Sequence, residues 1–242
     1  MIFDEIDSTN AEARRRAEAG ETGPLWIAAR RQTSGRGRYG RAWDSAHENL
    51  AATLLTQTDK PPAEAAQVSF VAALAVTDLA SAYVPAALIS LKWPNDVLVA
   101  GDKVSGVLVE SGVAATGGLW LAVGLGVNLA SHPENTERRA THLGAHLRAD
   151  RTAPPDLETA LGELAKAFER WWALWLREGF APLQAAWTQS AGGLGRPVVA
   201  RLGAEEVRGM AEALEGDGAL RVRLADGTAR RITAGDVFFA GE

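Results

Sequence analysis

The hydrophobic pattern is most regular between Leu119 and Leu129, where apolar positions alternate strictly with a second set. Alternate residues of a β-strand point to opposite sheet faces, so this segment predicts a strand with two unlike faces. The odd positions are all aliphatic, and we expect helices to cover them. The even positions are Trp120, Ala122, Gly124, Gly126 and Asn128. Because glycine has no side chain, this second face either leaves room for a ligand or lets another element pack closely.

Helices are predicted where capping residues occur or where apolar residues recur every three or four positions. Asp7–Asn10 begins a short helix that Gly20 ends, and Pro61-Pro62 opens an alanine-rich helix from Ala63 to about Ala82. A further amphipathic helix has its apolar stripe at Leu157, Leu161, Leu164, Phe168, Trp172 and Trp175. A short helix over Pro182–Ser190 follows it.

Further strands are predicted at Leu25–Arg30, Leu50–Thr56, Leu88–Trp93, Asp96–Ala100 and Lys103–Ser111. Gly101-Asp102 is expected to join the last two as a type II′ hairpin. Together with the helices, these strands predict an α+β fold in which helices pack on one face of a mixed sheet.

The composition changes at Gly192-Gly193-Leu194-Gly195, beyond which short strands alternate with Gly/Asp turns. These strands are Arg196–Leu202, Val207–Leu214, Leu220–Leu224, Thr228–Thr233 and Phe238-Phe239. The pattern predicts a small all-β barrel. We therefore expect two domains, a larger one over residues 1–190 and a small β domain over residues 191–242.

Composition narrows the classes of protein. The 242 residues include 25 basic and 30 acidic residues, a net charge of −5, and no cysteine. Disulfides, thiolate metal sites and a cysteine nucleophile are thereby excluded. The N-terminus lacks the pattern of a signal peptide, and we expect a cytoplasmic protein without a membrane span. The negative charge also argues against general nucleic-acid binding. Three histidines, His132, His142 and His146, match no metal-ligand spacing and are expected at the surface.

Residues 30–41 oppose this acidic balance, since they hold five arginines, three glycines and no acid. Successive Gly-Arg pairs suit a loop whose backbone approaches an anion while guanidinium groups bind it. A solvated basic loop is an equally good interpretation of this window alone. Such a self-repelling loop has little reason to order when empty, and we expect it to close over a bound ligand.

Four other positions are candidates for chemistry. Lys92-Trp93-Pro94-Asn95-Asp96 surrounds a rigid turn with a cation, an amide and a carboxylate. Asp96 could hold Mg²⁺ through oxygen, although the segment is also good hairpin sequence. Lys103 is either a cationic arm over small residues or a solvated edge lysine. Trp43 could stack on a base or pack in the core, and Asn128 could bind a ligand or close a turn.

In combination these motifs closely resemble the biotin protein ligases. The resemblance rests on Ser8-Thr9-Asn10, the loop Gly35–Trp43, the turn Lys92–Asp96, the strand Lys103–Glu110 and Gly124–Asn128, in the order and spacing of that family. It implies a class II synthetase-like catalytic domain and an SH3-like C-terminal domain. It also implies two reactions: biotin and ATP give biotinyl-5′-AMP and pyrophosphate, and the biotinyl group then passes to a lysine of a biotin carboxyl carrier domain.

By matching positions, the resemblance implies roles for individual residues. Lys103, Arg36 and Arg38 would stabilise charge during catalysis. Biotin would contact Ser8, Thr9, Asn10, Gln32, Gly35, Arg36, Gly37, Arg38, Lys103 and Gly106. ATP and the adenylate would contact Arg38, Arg41, Trp43, Asn95, Lys103 and Asn128. Asp96 would lie near the metal.

The resemblance also frames the alternatives. The first motif begins at residue 7, so we expect the monofunctional type that lacks a DNA-binding domain, and a homodimer formed through sheet edges is compatible with the family. A lipoate or octanoate acyltransferase is the nearest alternative, but those relatives lack the full Gly-Arg-Gly-Arg-x-Gly-Arg loop. A nucleic-acid-binding module is a third interpretation, which the acidic net charge opposes.

Overall fold

The structure is a computed structural model that describes residues 1–44, 48–134 and 136–239. The helices are α1 (Thr9–Glu18), α2 (Pro62–Ala65), α3 (Val68–Ser81), α4 (Leu157–Glu178) and α5 (Ala181–Ser190). The strands are β1 (Ile2–Ile6), β2 (Leu25–Gln32), β3 (Leu50–Thr58), β4 (Ile89–Lys92), β5 (Asp96–Val99), β6 (Asp102–Val113), β7 (Leu119–Val127), β8 (Pro197–Leu202), β9 (Glu205–Leu214), β10 (Leu220–Arg223), β11 (Ala229–Ile232) and β12 (Asp236–Phe239).

Seven strands form a mixed sheet in the order β1-β2-β3-β7-β6-β5-β4. The β1–β2 pair is parallel, and the other neighbouring strands are antiparallel. The predicted α+β fold is confirmed, and β7 lies at the centre of this sheet. Because β7 is the central strand, the ends of β7 and its neighbours β3 and β6 lie close to residues from both halves of the sheet.

The two faces of β7 are covered differently. Leu121, Val123 and Leu125 are buried in the main core, which also contains the apolar residues of α3 and α4. On the opposite face, Trp120 and Ala122 form a smaller cluster with apolar residues of α1. Helices thus cover the aliphatic face as predicted, but the short helix α1 lies over the other face, so the helices are not confined to one face of the sheet.

The alanine-rich segment forms two helices rather than the single helix predicted. It breaks after Ala65, and Gln67 at the break accepts a 3.0 Å hydrogen bond from Trp175 Nε1 of α4. Pro62–Ser81 is long and apolar enough to cross a membrane by length and composition, but 67% of it is buried inside this fold. Its apolar character is therefore explained by packing between the sheet and α4.

The β5–β6 turn differs from its predicted type. Ala100 and Gly101 connect the strands and have φ values of 53° and 87°. Positive φ at both central residues is the pattern of a type I′ turn, whereas type II′ needs it only at the first. The hairpin was predicted correctly, but its turn type and central residues were wrong.

A second sheet is antiparallel, in the order β11-β10-β9-β8-β12. Its strands lie within a few residues of the predicted ones. The segment before this sheet contacts the first sheet through Gly192 N, which donates to Leu91 O at 2.9 Å. The turn between β9 and β10 contacts it through Gly218 O, which accepts from Nε1 of buried Trp93 at 3.0 Å. The Trp93-Pro94 turn of the first sheet is thus held by a hydrogen bond to the turn between β9 and β10 of the second sheet.

Candidate active site

A cleft of about 820 Å³ opens between the ends of the central strands and the basic loop. Every residue predicted for the site lines it: Ser8, Thr9, Asn10, Gln32, Gly35, Arg36, Gly37, Arg38, Arg41, Trp43, Asn95, Asp96, Lys103, Gly106 and Asn128. The fold therefore brings together segments that are up to about 120 residues apart in sequence. Residues 136–138 also line the cleft, and sequence reasoning gave them no role.

One end of the cleft is a neutral hydrogen-bonded pocket at the start of α1. Ser8 is the N-cap, and its side chain accepts from Ala11 N. Thr9 donates from its backbone N to Gln32 Oε1 at 2.8 Å, and its hydroxyl lies 3.1 Å from the same oxygen. The capping interpretation of this motif is therefore correct, and the same residues also face the cleft.

The Asn10 amide is fixed by protein groups that the sequence did not single out. Its Nδ2 donates to Glu110 Oε2 at 2.8 Å, and its Oδ1 accepts from Thr53 Oγ1 at 2.6 Å. A Cβ added to Gly124 would lie 2.1 Å from Asn10 Oδ1. Asn10 therefore fills the space above Gly124, and its amide orientation is set before any ligand binds.

Trp43 occupies the corresponding space above the next glycine of β7. A Cβ added to Gly126 would lie 2.2 Å from the indole ring. The loop backbone holds Trp43 there, since its N–H donates to Gly35 O at 2.9 Å. The two glycines thus serve close packing of side chains that themselves form the cleft wall.

The basic loop is held by the C-terminal sheet. Arg38 donates to Asn95 Oδ1 at 3.3 Å and to Gly235 O at 3.0 Å, and Arg41 donates to Asp236 Oδ1 at 3.0 Å. Arg36 is exposed. The loop therefore has contacts that order it without a ligand, which differs from the unsupported loop predicted from composition. Arg36 still presents an exposed side chain to the cleft.

Asp96 is a buried carboxylate between two cations. Lys103 Nζ lies 2.6 Å from Oδ1, and Arg138 Nη1 lies 2.8 Å from Oδ2. Burial alone would raise the pKa of Asp96, but the charges of Lys103, Arg138 and Lys92 outweigh it and lower that pKa. Asp96 is therefore an anion that neutralises the positive floor of the cleft.

This arrangement does not fit the metal role predicted for Asp96. Both of its oxygens are paired with cationic side chains, and a third cation, Lys92, contributes to its electrostatic environment. Within residues 1–44, 48–134 and 136–239, no cluster of three or more His, Cys, Asp or Glu residues could hold a metal ion. Three nearby positive charges oppose a divalent cation at this carboxylate.

Asn128 holds the segment that carries Arg138 by a hydrogen bond. Its Nδ2 donates to Thr141 O at 2.9 Å, and Thr141 N donates to Lys103 O at 2.9 Å. The amide nitrogen of Asn128 is thus already engaged by the protein backbone. The turn-closing interpretation of Asn128 is correct for this nitrogen.

The histidines expected at the surface are half-buried behind the cleft. His132 Nδ1 and His142 Nδ1 are 2.7 Å apart, and their rings stack at 5.0 Å. Burial, together with the charges of His132 and His146, lowers the pKa of His142. The pair brackets the same segment that carries Arg138.

Arginine supplies most of the positive charge: the chain has 21 arginines and four lysines. Two of the lysines, Lys92 and Lys103, lie at Asp96. Lys60 pairs with Glu64 at 3.0 Å and lies over the Trp175 ring. Lys166 is exposed on α4.

A fold and a cleft of this kind are those of the acyl ligases that act on biotin and lipoate. Residues 2–128 match the model of the biotin/lipoate A/B protein ligase family, and residues 193–240 match the biotin protein ligase C-terminal domain. The chain belongs to the biotin/lipoate A/B protein ligase family.

Individual relatives agree. The chain is 44% identical over 240 residues to a biotin–[acetyl-CoA-carboxylase] ligase from Paracoccus denitrificans, covering 97% of this chain and 98% of that protein. It is 27% identical to a bifunctional ligase/repressor from Escherichia coli, covering 96% of this chain and 71% of that one. Among solved structures, the biotin protein ligase from Aquifex aeolicus in complex with biotin and ATP has a TM-score of 0.81 at 27% identity, covering 99% and 97% of the two chains.

Proposed function

We infer that this protein is a biotin protein ligase, which activates biotin with ATP and then transfers the biotinyl group to a protein lysine. The relatives confirm the ligase class expected from the sequence. The observation in the structure that supports it best is the single cleft that gathers all the motif residues. A neutral pocket lies at one end, a cationic floor in the middle and an indole at the other end.

The cationic floor suits the first reaction. A biotin carboxylate oxygen attacks the α-phosphorus of ATP, the bond from that phosphorus to the bridging oxygen breaks, and pyrophosphate leaves. Two anions must meet in line, so positive side chains have to neutralise them and hold their geometry. We assign this task to Lys103, Arg36 and Arg38, and the binding of the polyphosphate to Arg41.

The neutral pocket suits the ureido ring of biotin. Ser8, Thr9 and Gln32 present hydroxyl and amide groups there, while Asn10 forms a wall whose amide is already held by Glu110 and Thr53. The protein backbone can lie close to the aliphatic chain of biotin at Gly35, Gly37 and Gly106, because glycine has no side chain. A Cβ on Gly106 would lie 3.1 Å from Lys103 Nζ, so glycine leaves this lysine room to move.

The opposite end suits the nucleotide. We propose that adenine stacks on Trp43 and that Asn128 and Asn95 contact the adenylate. Mg²⁺ is expected to arrive on the phosphate oxygens of ATP, because it retains water ligands and needs few protein ligands when phosphates bind it. We assign it to no residue of this chain.

In the second reaction the amine of an acceptor lysine attacks the acyl carbon of biotinyl-5′-AMP. The acyl–phosphate bond breaks, AMP leaves, and the amine loses a proton. We propose a biotin carboxyl carrier domain as the acceptor, by analogy with the acetyl-CoA-carboxylase named for the Paracoccus relative.

Three further assignments belong to this proposal. Residues 1–190 form the catalytic domain, and residues 191–242 form the C-terminal β domain. The protein acts in the cytoplasm, which its lack of cysteine suits. A homodimer would use the edge strand β1, whose Ile2 is 41% exposed.

Biotin-dependent ATP–pyrophosphate exchange tests the first reaction, and a mass increase on a purified carrier domain tests the second. Exchange that requires lipoate or octanoate instead of biotin would favour the alternative acyltransferase. If exchange is absent and oligonucleotides bind in a salt-dependent manner, the nucleic-acid interpretation would replace the ligase.

A further inference from the structure

Arg138 lies between two acidic side chains at the floor of the cleft. Its Nη1 is 2.8 Å from Asp96 Oδ2, and its Nη2 is 3.9 Å from Asp236 Oδ1. Nη2 also donates to Val237 O at 3.3 Å, and the guanidinium lies over the Phe238 ring at 4.7 Å. The side chain is only 17% exposed. Arg138 is therefore held from several sides, which is unlike a solvated surface arginine.

Arg138 shares its partner with the lysine assigned to the reaction. Asp96 binds Lys103 through Oδ1 and Arg138 through Oδ2. For Lys103 to move fully onto the biotin carboxylate and the α-phosphate, its Nζ has to lengthen or break the 2.6 Å contact with Asp96. Asp96 is 3% exposed at its side chain, and a buried carboxylate without a cation is strongly unfavourable.

We propose that Arg138 is a positioning residue that acts through Asp96. It compensates the Asp96 charge, so that Lys103 is held loosely enough to move to the reacting anions. The proposal rests on the function assigned to Lys103 above. Without Arg138, Asp96 would hold Lys103 as its nearest counter-ion, and Lys103 would be withdrawn from the substrates.

A direct contact between Arg138 and phosphate is the rival explanation. The Nε of Arg138 is buried and has no hydrogen-bond partner among the residues that the structure describes. A phosphate oxygen at Nε would make Arg138 a binding residue. That role predicts a change in the KM for ATP, and it does not require Asp96.

The first measurement uses no substrate, so it does not depend on the proposed function. The purified full-length protein is acetylated with limiting reagent, and the labelling rate of Lys103 is followed by peptide mass spectrometry. Arg138→Gln should slow labelling of Lys103 by about threefold or more, since an ammonium that Asp96 holds without competition from Arg138 is withdrawn from the reagent. Adding Asp96→Asn to Arg138→Gln should abolish this slowing.

The second measurement is a double-mutant cycle in biotin-dependent ATP–pyrophosphate exchange. Arg138→Gln should lower kcat by roughly tenfold, while the same change in an Asp96→Asn background should lower it less than about twofold, because residues that act as a unit are non-additive. Arg138→Lys should restore most of the activity. Arg139→Gln is the matched control, since the neighbouring arginine has an 85% exposed side chain paired with Asp102.

Two other outcomes overturn the proposal, and a third separates it from the ligase assignment. Unchanged Lys103 labelling with a raised KM for ATP in both backgrounds would assign Arg138 to phosphate binding. Faster labelling, a lowered melting temperature and no rescue by lysine would make Arg138 a purely structural residue. If labelling behaves as expected but every variant lacks exchange, including the parent protein, the coupling stands and the ligase assignment fails.

Discussion

Gly126 and Trp43 lie in direct contact in the wall of the cleft, so closely that a Cβ on the glycine would be 2.2 Å from the indole ring. Gly124, two residues earlier on β7, has the same relationship with Asn10 at 2.1 Å. One strand face therefore supports a side chain at each end of the cleft. This gives a paired prediction that separates the two substrates.

Gly126→Ala should displace Trp43 and raise the KM for ATP by about tenfold, while the KM for biotin changes little. Gly124→Ala should displace Asn10 and raise the KM for biotin instead. The expected size corresponds to about 1–2 kcal/mol for the loss of one stacking or polar contact. Each variant is the control for the other in initial-rate exchange assays. Equal changes in the KM for ATP and the KM for biotin would contradict the proposed placement of biotin and adenine.

Lys103→Ala should slow biotin-dependent exchange by ~100-fold or more, because a charge that stabilises the transition state in a partly dry site is lost. Lys166→Ala, on the exposed face of α4, is the control for removal of a lysine. Exchange close to that of the parent protein in Lys103→Ala would refute the assigned role.

The contact between Arg41 and Asp236 predicts how the basic loop orders. Biotin and ATP together should increase hydrogen-exchange protection across residues 34–41, since their anions replace protein partners of the arginines. Asp236→Asn should reduce protection of this loop in the unliganded protein and have little effect once both substrates are bound. Asp226→Asn is the control, because within the described part of the chain the Asp226 side chain accepts hydrogen bonds from Thr228 of its own turn. Protection that ligands leave unchanged would exclude closure of the loop.

Acid stability should depend on Asp7. Hydrogen bonds from Arg15 lower the pKa of Asp7 to about 2, which is below its value of about 3.9 in an unfolded chain. A lowered folded pKa stabilises the protein above the unfolded pKa, and this contribution is lost as the pH falls from about 4 towards 2. Asp7→Asn should thus lower the free energy of unfolding near pH 7, by no more than about 1 kcal/mol for a half-exposed pair.

Urea denaturation between pH 7 and pH 3 checks this expectation, since the difference between the parent protein and Asp7→Asn should narrow as the pH falls. Asp4→Asn, at a fully exposed side chain, is the control. A difference that stays constant over this range would show that Asp7 contributes through helix geometry alone.

Elements with a strong local pattern were predictable from the sequence. The alternation of β7 and the turn-separated strands β8–β12 needed only periodicity and Gly/Asp signals. The break between α2 and α3 was not predictable, because it depends on Gln67 meeting Trp175 more than 100 residues away. The turn at Ala100-Gly101 was misassigned because a non-glycine residue adopts positive φ there.

The site was predictable where its residues form dense motifs, and all of those residues line one cleft. Arg138, Asp236 and Thr53 were missed, since each stands in an ordinary polar or strand context, and Glu110 was part of a motif but had no predicted role. Arg138 reaches Asp96 only because β6 and Asn128 hold residues 139–141. The alternatives for the β7 glycines were decided by contacts with Asn10 and Trp43 that no local pattern contains.

The scarcity of lysine has a chemical consequence for the protein itself. An acyl-adenylate that escapes the cleft reacts with ε-amines and leaves guanidinium groups unmodified. Apart from Lys103 in the cleft and buried Lys92, this chain offers two such amines, and that of Lys60 is engaged by Glu64 and Trp175. A surface charged by arginine is thereby shielded from the reactive intermediate that the enzyme makes, so its own solubility and charge are preserved during turnover.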